Sequence, residues 1–222
     1  MNTCSCNIIV RDSEEYIIPC LDSIAGAGCF SEIVIAIDSR SVDNTLPLIM
    51  SYRFPVNAFW YRWGYDAFAG ARNAVLSQSK GDYIFWIDAD ERLQSGLCDL
   101  LAEADGCAYY VHQISNLPDG TYLDVPQVRL FPNLQGVQWE IPIHEQVSFS
   151  LNRLGIPILD SNCKVSHIGY DNDEKISEKH IRNFPILEEY IRTHTMRDEK
   201  LDYVKERYNE SLGYLKSQGI IS

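Results

Sequence analysis

Residues 80–91, Lys80-Gly81-Asp82-Tyr83-Ile84-Phe85-Trp86-Ile87-Asp88-Ala89-Asp90-Glu91, decide how the chain folds. A Gly-Asp turn signal precedes a continuous apolar run, Tyr83 to Ile87, and two aspartates one residue apart follow it. A short apolar run rich in aromatic and β-branched residues predicts a strand buried on both faces, as in a mostly parallel sheet. Such sheets take ligands just beyond the carboxyl ends of their strands, where Asp88 and Asp90 stand. Two hard carboxylate oxygens on a tight turn suit Mg²⁺ or Mn²⁺, ions that complete their shells with substrate phosphates. An Asp-x-Asp metal–diphosphate site is therefore expected.

Working outward, the first half of the chain alternates between strand and helix patterns. Strands are predicted over 6–10, 32–37, 56–60 and 82–87. Helices are predicted over 17–24, from the caps Ser41, Asp43 and Asn44 to about 52, and over 67–78. Pro19 is tolerable only in the first turn of its helix. The pattern is that of an α/β fold with a doubly wound, mostly parallel sheet. Neither Gly-x-Gly-x-x-Gly nor Gly-x-x-x-x-Gly-Lys-Ser/Thr follows a strand, which argues against dinucleotide cofactors and P-loop chemistry. The second half predicts a short helix at 97–104 and strands at 108–114, 127–131, 147–149 and 164–167. Two C-terminal helices follow from 173, the first carrying the stripe Ile176, His180 or Ile181, Phe184, Leu187, Ile191 interrupted by Pro185, the second Leu201, Val204, Tyr208, Leu212, Leu215. One domain over 1–172 with a helical extension over 173–222 is expected.

Composition narrows the function. An apolar content of 45% supports a sizeable core, and a net charge of −12 leaves no basic surplus for nucleic acid. The seven cysteines are scattered without a Cys-x-x-Cys pair, so zinc is not expected. Cys4 and Cys6 read as reduced thiols of a cytosolic protein. Neither a signal peptide nor an apolar run of the ~20 residues that span a bilayer is visible, and a cytoplasmic location is expected.

Several further residues carry candidate chemistry. Asp38, at the end of the second strand, falls at the same rim as Asp88 and Asp90 and could accept from a nucleobase N–H or a ribose hydroxyl; as a bland alternative it is a turn aspartate. Arg72, at the edge of a buried helical stripe, needs a partner such as a diphosphate or a rim aspartate. His144-Glu145 is a candidate catalytic pair, with Glu145 a general base if it reaches an acceptor hydroxyl. Position 148 is serine, so the zinc-protease pattern His-Glu-x-x-His fails. His167 ends an apolar strand and could join carboxylates around a Mn²⁺-type ion. Lys175, Lys179 and Arg182 share a helix face and form either a solvated basic face or a diphosphate clamp; Asn183 beside them decides nothing.

Together these segments resemble the family 2 glycosyltransferases of the GT-A fold, most closely the bacterial lipopolysaccharide-core glucosyltransferase-like branch. The resemblance rests on VRDSEEYIIPCLDSI (10–24), EIVIAIDSRSVDNT (32–45), FAGARNAVLSQSKGDYIFWIDADE (68–91), RLFPN and IPIHEQV between 129 and 147, HIGY (167–170) and KHIRN (179–183). It implies a nucleotide-sugar donor, most often a UDP-sugar, held with Mn²⁺ or Mg²⁺. The acceptor would be a glycan, lipid-linked or protein hydroxyl, and one hexosyl unit would move with inversion in surface-glycan or glycoconjugate synthesis. By the same resemblance Asp38 contacts the base or ribose, and Arg72 lies by the diphosphate. Asp90 binds the metal, Asp88 holds the ribose or a metal-bound water, His167 is the C-terminal metal ligand and Glu145 is the base. Arg40 stands where the family usually carries glycine. The processive Gln-x-x-Arg-Trp motif is absent, which implies single-sugar transfer. Two alternatives stay open: a sugar-phosphate nucleotidyltransferase, disfavoured by the acidic, glycine-free loop 11–15, and a catalytically silent nucleotide-sugar-binding module.

Overall fold

The computed structural model describes residues 2–64, 67–117, 120–168, 173–194 and 198–221. Elements follow in the order β1 (Cys4–Val10), α1 (Ile17–Ala27), β2 (Glu32–Asp38), α2 (Thr45–Met50), β3 (Val56–Tyr61), α3 (Ala67–Gln78), β4 (Tyr83–Trp86) and β5 (Glu91–Ser95). The second half runs α4 (Leu97–Glu103), β6 (Ala108–Asn116), β7 (Tyr122–Pro132), α5 (Ser148–Arg153), β8 (Ile158–Leu159), β9 (Lys164–His167), α6 (Asp173–Thr193) and α7 (Glu199–Ser217).

The strands form one sheet in the order β3-β2-β1-β4-β7-β6-β9-β5, with β8 on β6. β3, β2, β1 and β4 are parallel, and β7 joins β4 antiparallel. The period of two along the strands sorts side chains between the faces. Ile33, Ile35 and Ile37 pack with Leu21, Ile24 and Ile49 of α1 and α2, whereas Val34 and Ala36 pack with Ala71 and Val75 of α3. The sheet is therefore covered on both sides, and β1 and β4 are buried along their whole length, mostly by apolar residues, with Ser5 and Asn7 the polar members of β1. Gly81 lies in the turn before β4 where no side chain fits, since a Cβ there would come within 2.6 Å of the Ser5 nitrogen.

The chain order matters for function. From β1 the crossovers lead outward through β2 to β3, then return to place β4 on the other flank of β1. That reversal opens a crevice at the carboxyl ends of β1 and β4, where sheets of this kind bind ligands.

Two elements differ from the sequence-based expectation. Residues 147–149 open a helix rather than a strand: Val147 and Leu151, four apart, are both buried in one apolar cluster, and the Val147 carbonyl accepts from Ser150 and Leu151. Residues 91–95, with a charged and polar composition, pair with β9 as a strand. The helix α6 runs through Pro185; Pro185 and Ile181, whose carbonyl loses its intrahelical donor, are both exposed, so water can replace that donor. Cys4 and Cys6 are free thiols, as expected, whereas Cys29 and Cys98, 69 residues apart, are disulfide-bonded. Cys4, Cys6, Cys20, Cys107 and Cys163 are free, and burial pushes the thiols of Cys4, Cys6 and Cys20 well up, leaving them neutral packing groups.

The helices α6 and α7 pack on each other and on the loop after β7. Leu187 and Val204 bury Ile141 and Ile143, so the C-terminal helices brace the segment that carries His144 and Glu145.

Candidate active site

A cleft of about 890 Å³ lies at the sheet reversal. It is walled by Arg11, Asp12 and Arg40 from the loops after β1 and β2, Arg72 of α3, Asp88 and Asp90 after β4, His144 and Glu145, and Lys179 and Arg182 of α6. Almost every residue singled out from the sequence meets there. Asp38 lies behind Arg40, and His167 touches the cleft residue Asp90. The side chain of Lys175 lies outside the described residues, as do Gly169 and Tyr170 of the His-Ile-Gly-Tyr motif.

Arg72 is the hub. Only 7% exposed, it donates through Nε to Glu145 at 2.6 Å and through an Nη to Asp88 at 3.0 Å. Its guanidinium carbon sits 4.1 Å from the Trp86 ring centroid and 5.0 Å from that of Trp139. Burial opposes its charge, but Asp88 and Glu145 outweigh burial and hold its pKa above the usual value. Arg72 thus spaces two carboxylates around a permanent cation. Asn73, next in the helix, fixes the Trp139 backbone by donating to its carbonyl at 2.9 Å and accepting from its N–H at 2.8 Å.

Asp90 and His167 form a second pair, Oδ2 to Nε2 3.2 Å apart. Burial raises the Asp90 pKa, while the His167 hydrogen bond and charge lower it further, so the carboxylate is ionised at neutral pH. The Asp90 carbonyl also accepts from Ile168, tying the turn to the end of β9.

Beneath the turn lies a network that no local sequence pattern announces. Glu91 and Arg129 are both fully buried and joined by two bonds of 2.6 and 2.7 Å. Glu91 also accepts from Gln113 at 2.5 Å and from the Asp88 backbone N–H at 2.9 Å, so the pair fixes the Asp-Ala-Asp turn from below. Arg129 lies 4.0 Å from the Trp86 centroid, so one indole carries two guanidiniums. Breaking a buried pair strands a charge. Arg129→Met should therefore lower unfolding stability by about 3–5 kcal/mol in urea titration, whereas Glu91→Gln with Arg129→Met should recover much of that loss. A loss below 1 kcal/mol in the single variant would show that the pair does not hold the turn.

Backbone strain gathers at the same place. Among the described residues, the non-glycine positions with positive φ are Asp12 (44°), Ala67 (42°), Ile141 (72°) and His144 (59°). Asp12, Ala67 and His144 line the cleft, and Ile141 lies in the loop that Glu140 and Gln146 close by pairing their backbones. Such conformations persist only where surrounding contacts over-determine them, as at binding sites. His144 is exposed at the cleft mouth, yet nearby protein bulk, then Arg207, Arg182 and His180, bring its pKa to about 4, so it is neutral at physiological pH.

Asp38 sits differently from expectation. It is fully buried, and Arg40 covers it: Oδ1 accepts from the Arg40 backbone N–H and Nε, each at 3.0 Å, and Oδ2 accepts from Nη2 at 2.6 Å. Burial alone would raise its pKa, but the Arg40 bonds and charge more than offset that and hold the carboxyl below its usual range.

Among the described residues, no group of three or more His, Cys, Asp or Glu side chains clusters as metal ligands, and no helix is long and apolar enough to cross a membrane.

The model of the glycosyl transferase family 2 matches residues 5–153. The lipopolysaccharide core biosynthesis glycosyltransferase LpsC of Rhizobium meliloti is 36% identical over 99 residues, 43% of this chain and 34% of that protein. The SPbeta prophage-derived glycosyltransferase SunS of Bacillus subtilis is 27% identical over 198 residues, 86% of this chain and 45% of that one. The chain thus spans less than half the length of both relatives. Among solved structures, S. aureus TarS residues 1–349 in complex with UDP-GlcNAc superposes with a TM-score of 0.62 at 15% identity, covering 95% of this chain and 72% of that one. That likeness carries the fold, which is the GT-A fold. The matched segment holds the cleft loops, Arg72, both turn aspartates and Glu145, and on that match the chain belongs to glycosyl transferase family 2.

Proposed function

We propose that this chain is an inverting glycosyltransferase that moves one sugar from a nucleoside-diphosphate sugar to an acceptor hydroxyl on a glycan or glycoconjugate. The observation that carries it is the convergence of Arg72, Asp88, Asp90 and Glu145 on one cleft at the sheet reversal, faced by Lys179 and Arg182 of α6. Carboxylates alone would repel a diphosphate; the cations across the cleft offset that repulsion. The UDP-GlcNAc bound by TarS supports a uridine diphosphate donor. The LpsC relative, named for lipopolysaccharide core synthesis, supports a surface-glycan acceptor.

The residues fit a divalent cation. Two ligands on adjacent corners of an octahedral Mg²⁺ or Mn²⁺ shell, with bonds of ~2.1 Å, lie about 3 Å apart. Asp90 Oδ2 and His167 Nε2, 3.2 Å apart, match one such edge. Asp90 and His167 would hold the ion, and Asp88 would hold ribose or a bound water through the oxygen that Arg72 does not use. The ion, when bound, neutralises charge developing on the leaving phosphate.

The remaining steps belong to the side chains. Lys179 and Arg182 draw in the diphosphate. Arg72 keeps Asp88 and Glu145 oriented. Glu145 accepts the proton of the acceptor hydroxyl as that oxygen attacks the anomeric carbon. The bond from the anomeric carbon to the diphosphate oxygen breaks on the opposite face, and the nucleoside diphosphate departs. Neutral His144, at the mouth beside Glu145, faces the acceptor side.

A thermal-shift panel of nucleotide sugars with and without Mn²⁺ tests this. At a ligand excess of about a hundred Kd, stabilisation is ~2.7 kcal/mol, a rise of about 5–10 °C in Tm. The rise should need both a nucleotide sugar and the cation. A flat panel would sink the proposal.

A further inference from the structure

We infer that Arg40, not Asp38, meets the nucleobase of the donor and reads a carbonyl oxygen on it, with Asp38 acting as the positioning residue that aims the guanidinium. This rests on the glycosyl-transfer reading above. Three observations carry it.

First, Asp38 has no surface to offer. It is fully buried, and the bonds from Arg40 take up both its oxygens. Second, Arg40 is half exposed and lines the same cleft as the turn aspartates. It uses Nε and Nη2 on Asp38, and among the described residues Nη1 has no hydrogen-bond partner, which leaves that edge to the cleft. Third, the loop bearing it is pre-set. Val42 donates to Asp12 Oδ1 at 2.8 Å, Asp12 donates to Ser41 Oγ at 2.9 Å, and Ser39 donates to the Tyr61 carbonyl at 3.0 Å. A fork held at one end by a buried carboxylate, on a loop pinned to two neighbouring segments, is a preorganised recognition group.

The position suits the base rather than the diphosphate. β2 lies two strand spacings from β4, about 10 Å, on the far flank of β1. A ribose bridges that interval when the phosphates sit by Asp90.

The chemistry of the fork then sets selectivity. A guanidinium only donates hydrogen bonds, and a carboxylate only accepts them. An exposed Asp38 would accept from the ring N–H of uracil or the amino group of cytosine. Arg40 instead bonds the carbonyl of uracil at that ring position and leaves the cytosine amine facing like polarity. Guanine and adenine differ in the same way, carbonyl against amine.

Calorimetric titration with UDP against CDP, and GDP against ADP, in Mn²⁺, isolates that edge. The unaltered chain should favour the carbonyl base of its preferred pair by about tenfold or more, the worth of one charge-assisted bond. Arg40→Ala should cut the preference to about twofold or less, and uncovering Asp38 should improve binding of the amino base. Asp38→Asn should also erode the preference, at unchanged helix content and melting temperature, because the fork loses its anchor.

Preference intact in Arg40→Ala overturns the assignment. So does tighter binding of every nucleotide by that variant, which would make Arg40 a cover that the donor displaces. Loss of preference in Asp38→Asn but not in Arg40→Ala would return the base contact to Asp38. If the unaltered chain binds none of the four nucleotides, both this assignment and the transfer reading fall; binding without Arg40-dependent selectivity removes this assignment alone.

Discussion

Asp90→Asn should lower sugar transfer about a hundred- to a thousandfold while the protein stays folded, the scale of losing one charged group that stabilises a developing anion. The substitution keeps shape and one oxygen, and removes the charge that, on the proposed reading, would hold a divalent cation against the donor phosphates. Little structural cost is expected. The Asp90 side chain is 38% exposed, its contact with His167 is partly screened, and its backbone bond to Ile168 does not depend on the carboxylate. Melting temperature should change by only a degree or two, and the Mn²⁺ concentration giving half-maximal transfer should rise steeply. Unchanged turnover would remove Asp90 from the mechanism. Turnover lost together with the melting transition would show a structural role instead. His167→Asn offers an independent arm, since the other corner of the same ligand edge should show the same shift in Mn²⁺ dependence.

The legible part of this protein was local. The run from Tyr83 to Ile87 announced a buried strand because a strand covered on both faces has no polar alternation to blur it. The aspartates behind it fell at the rim because carboxyl ends of parallel strands meet there. Arg72 could be singled out because an arginine at the edge of an apolar stripe needs a partner, and its partners proved to be the rim aspartate Asp88 and, beyond what was expected, Glu145.

What escaped was non-local. Glu91 and Arg129 lie 38 residues apart, and nothing near either announces that a long-range sheet pairing will bury both. Glu91 did carry one clue, as a charged residue directly behind a buried strand and turn. Residues 147–149 looked like a strand because three residues cannot separate periods of 2 and 3.6; Leu151, beyond them, decides for the helix. Arg40 stands out in the sequence as a departure from glycine, but its consequence for Asp38 follows only from the fold: a carboxylate drawn into the sheet rim must be neutralised, and the next side chain but one supplies the cation.

Glu145→Gln is expected to lose about a hundred- to ten-thousandfold in turnover, the usual contribution of a positioned general base, while nucleotide-sugar affinity stays within a factor of about three. Glutamine fills the same volume and still offers an oxygen to Arg72, so the guanidinium keeps two partners and the buried site keeps its shape. What disappears is the ability to take a proton from the acceptor. Glu145 Oε1 is bound to Arg72 at 2.6 Å, which leaves the work of proton acceptance to its other oxygen. Arg72→Lys tests the link: a lysine cannot reproduce the fork to Asp88 and Glu145, so donor affinity should fall while whatever turnover remains still depends on Glu145. Equal losses of affinity and turnover in Glu145→Gln would instead make Glu145 an anchor for Arg72, and the base would have to be sought at His144, the neutral imidazole on the same strained loop. Comparing the two variants at saturating donor separates these outcomes, because an anchor raises KM and a base lowers kcat.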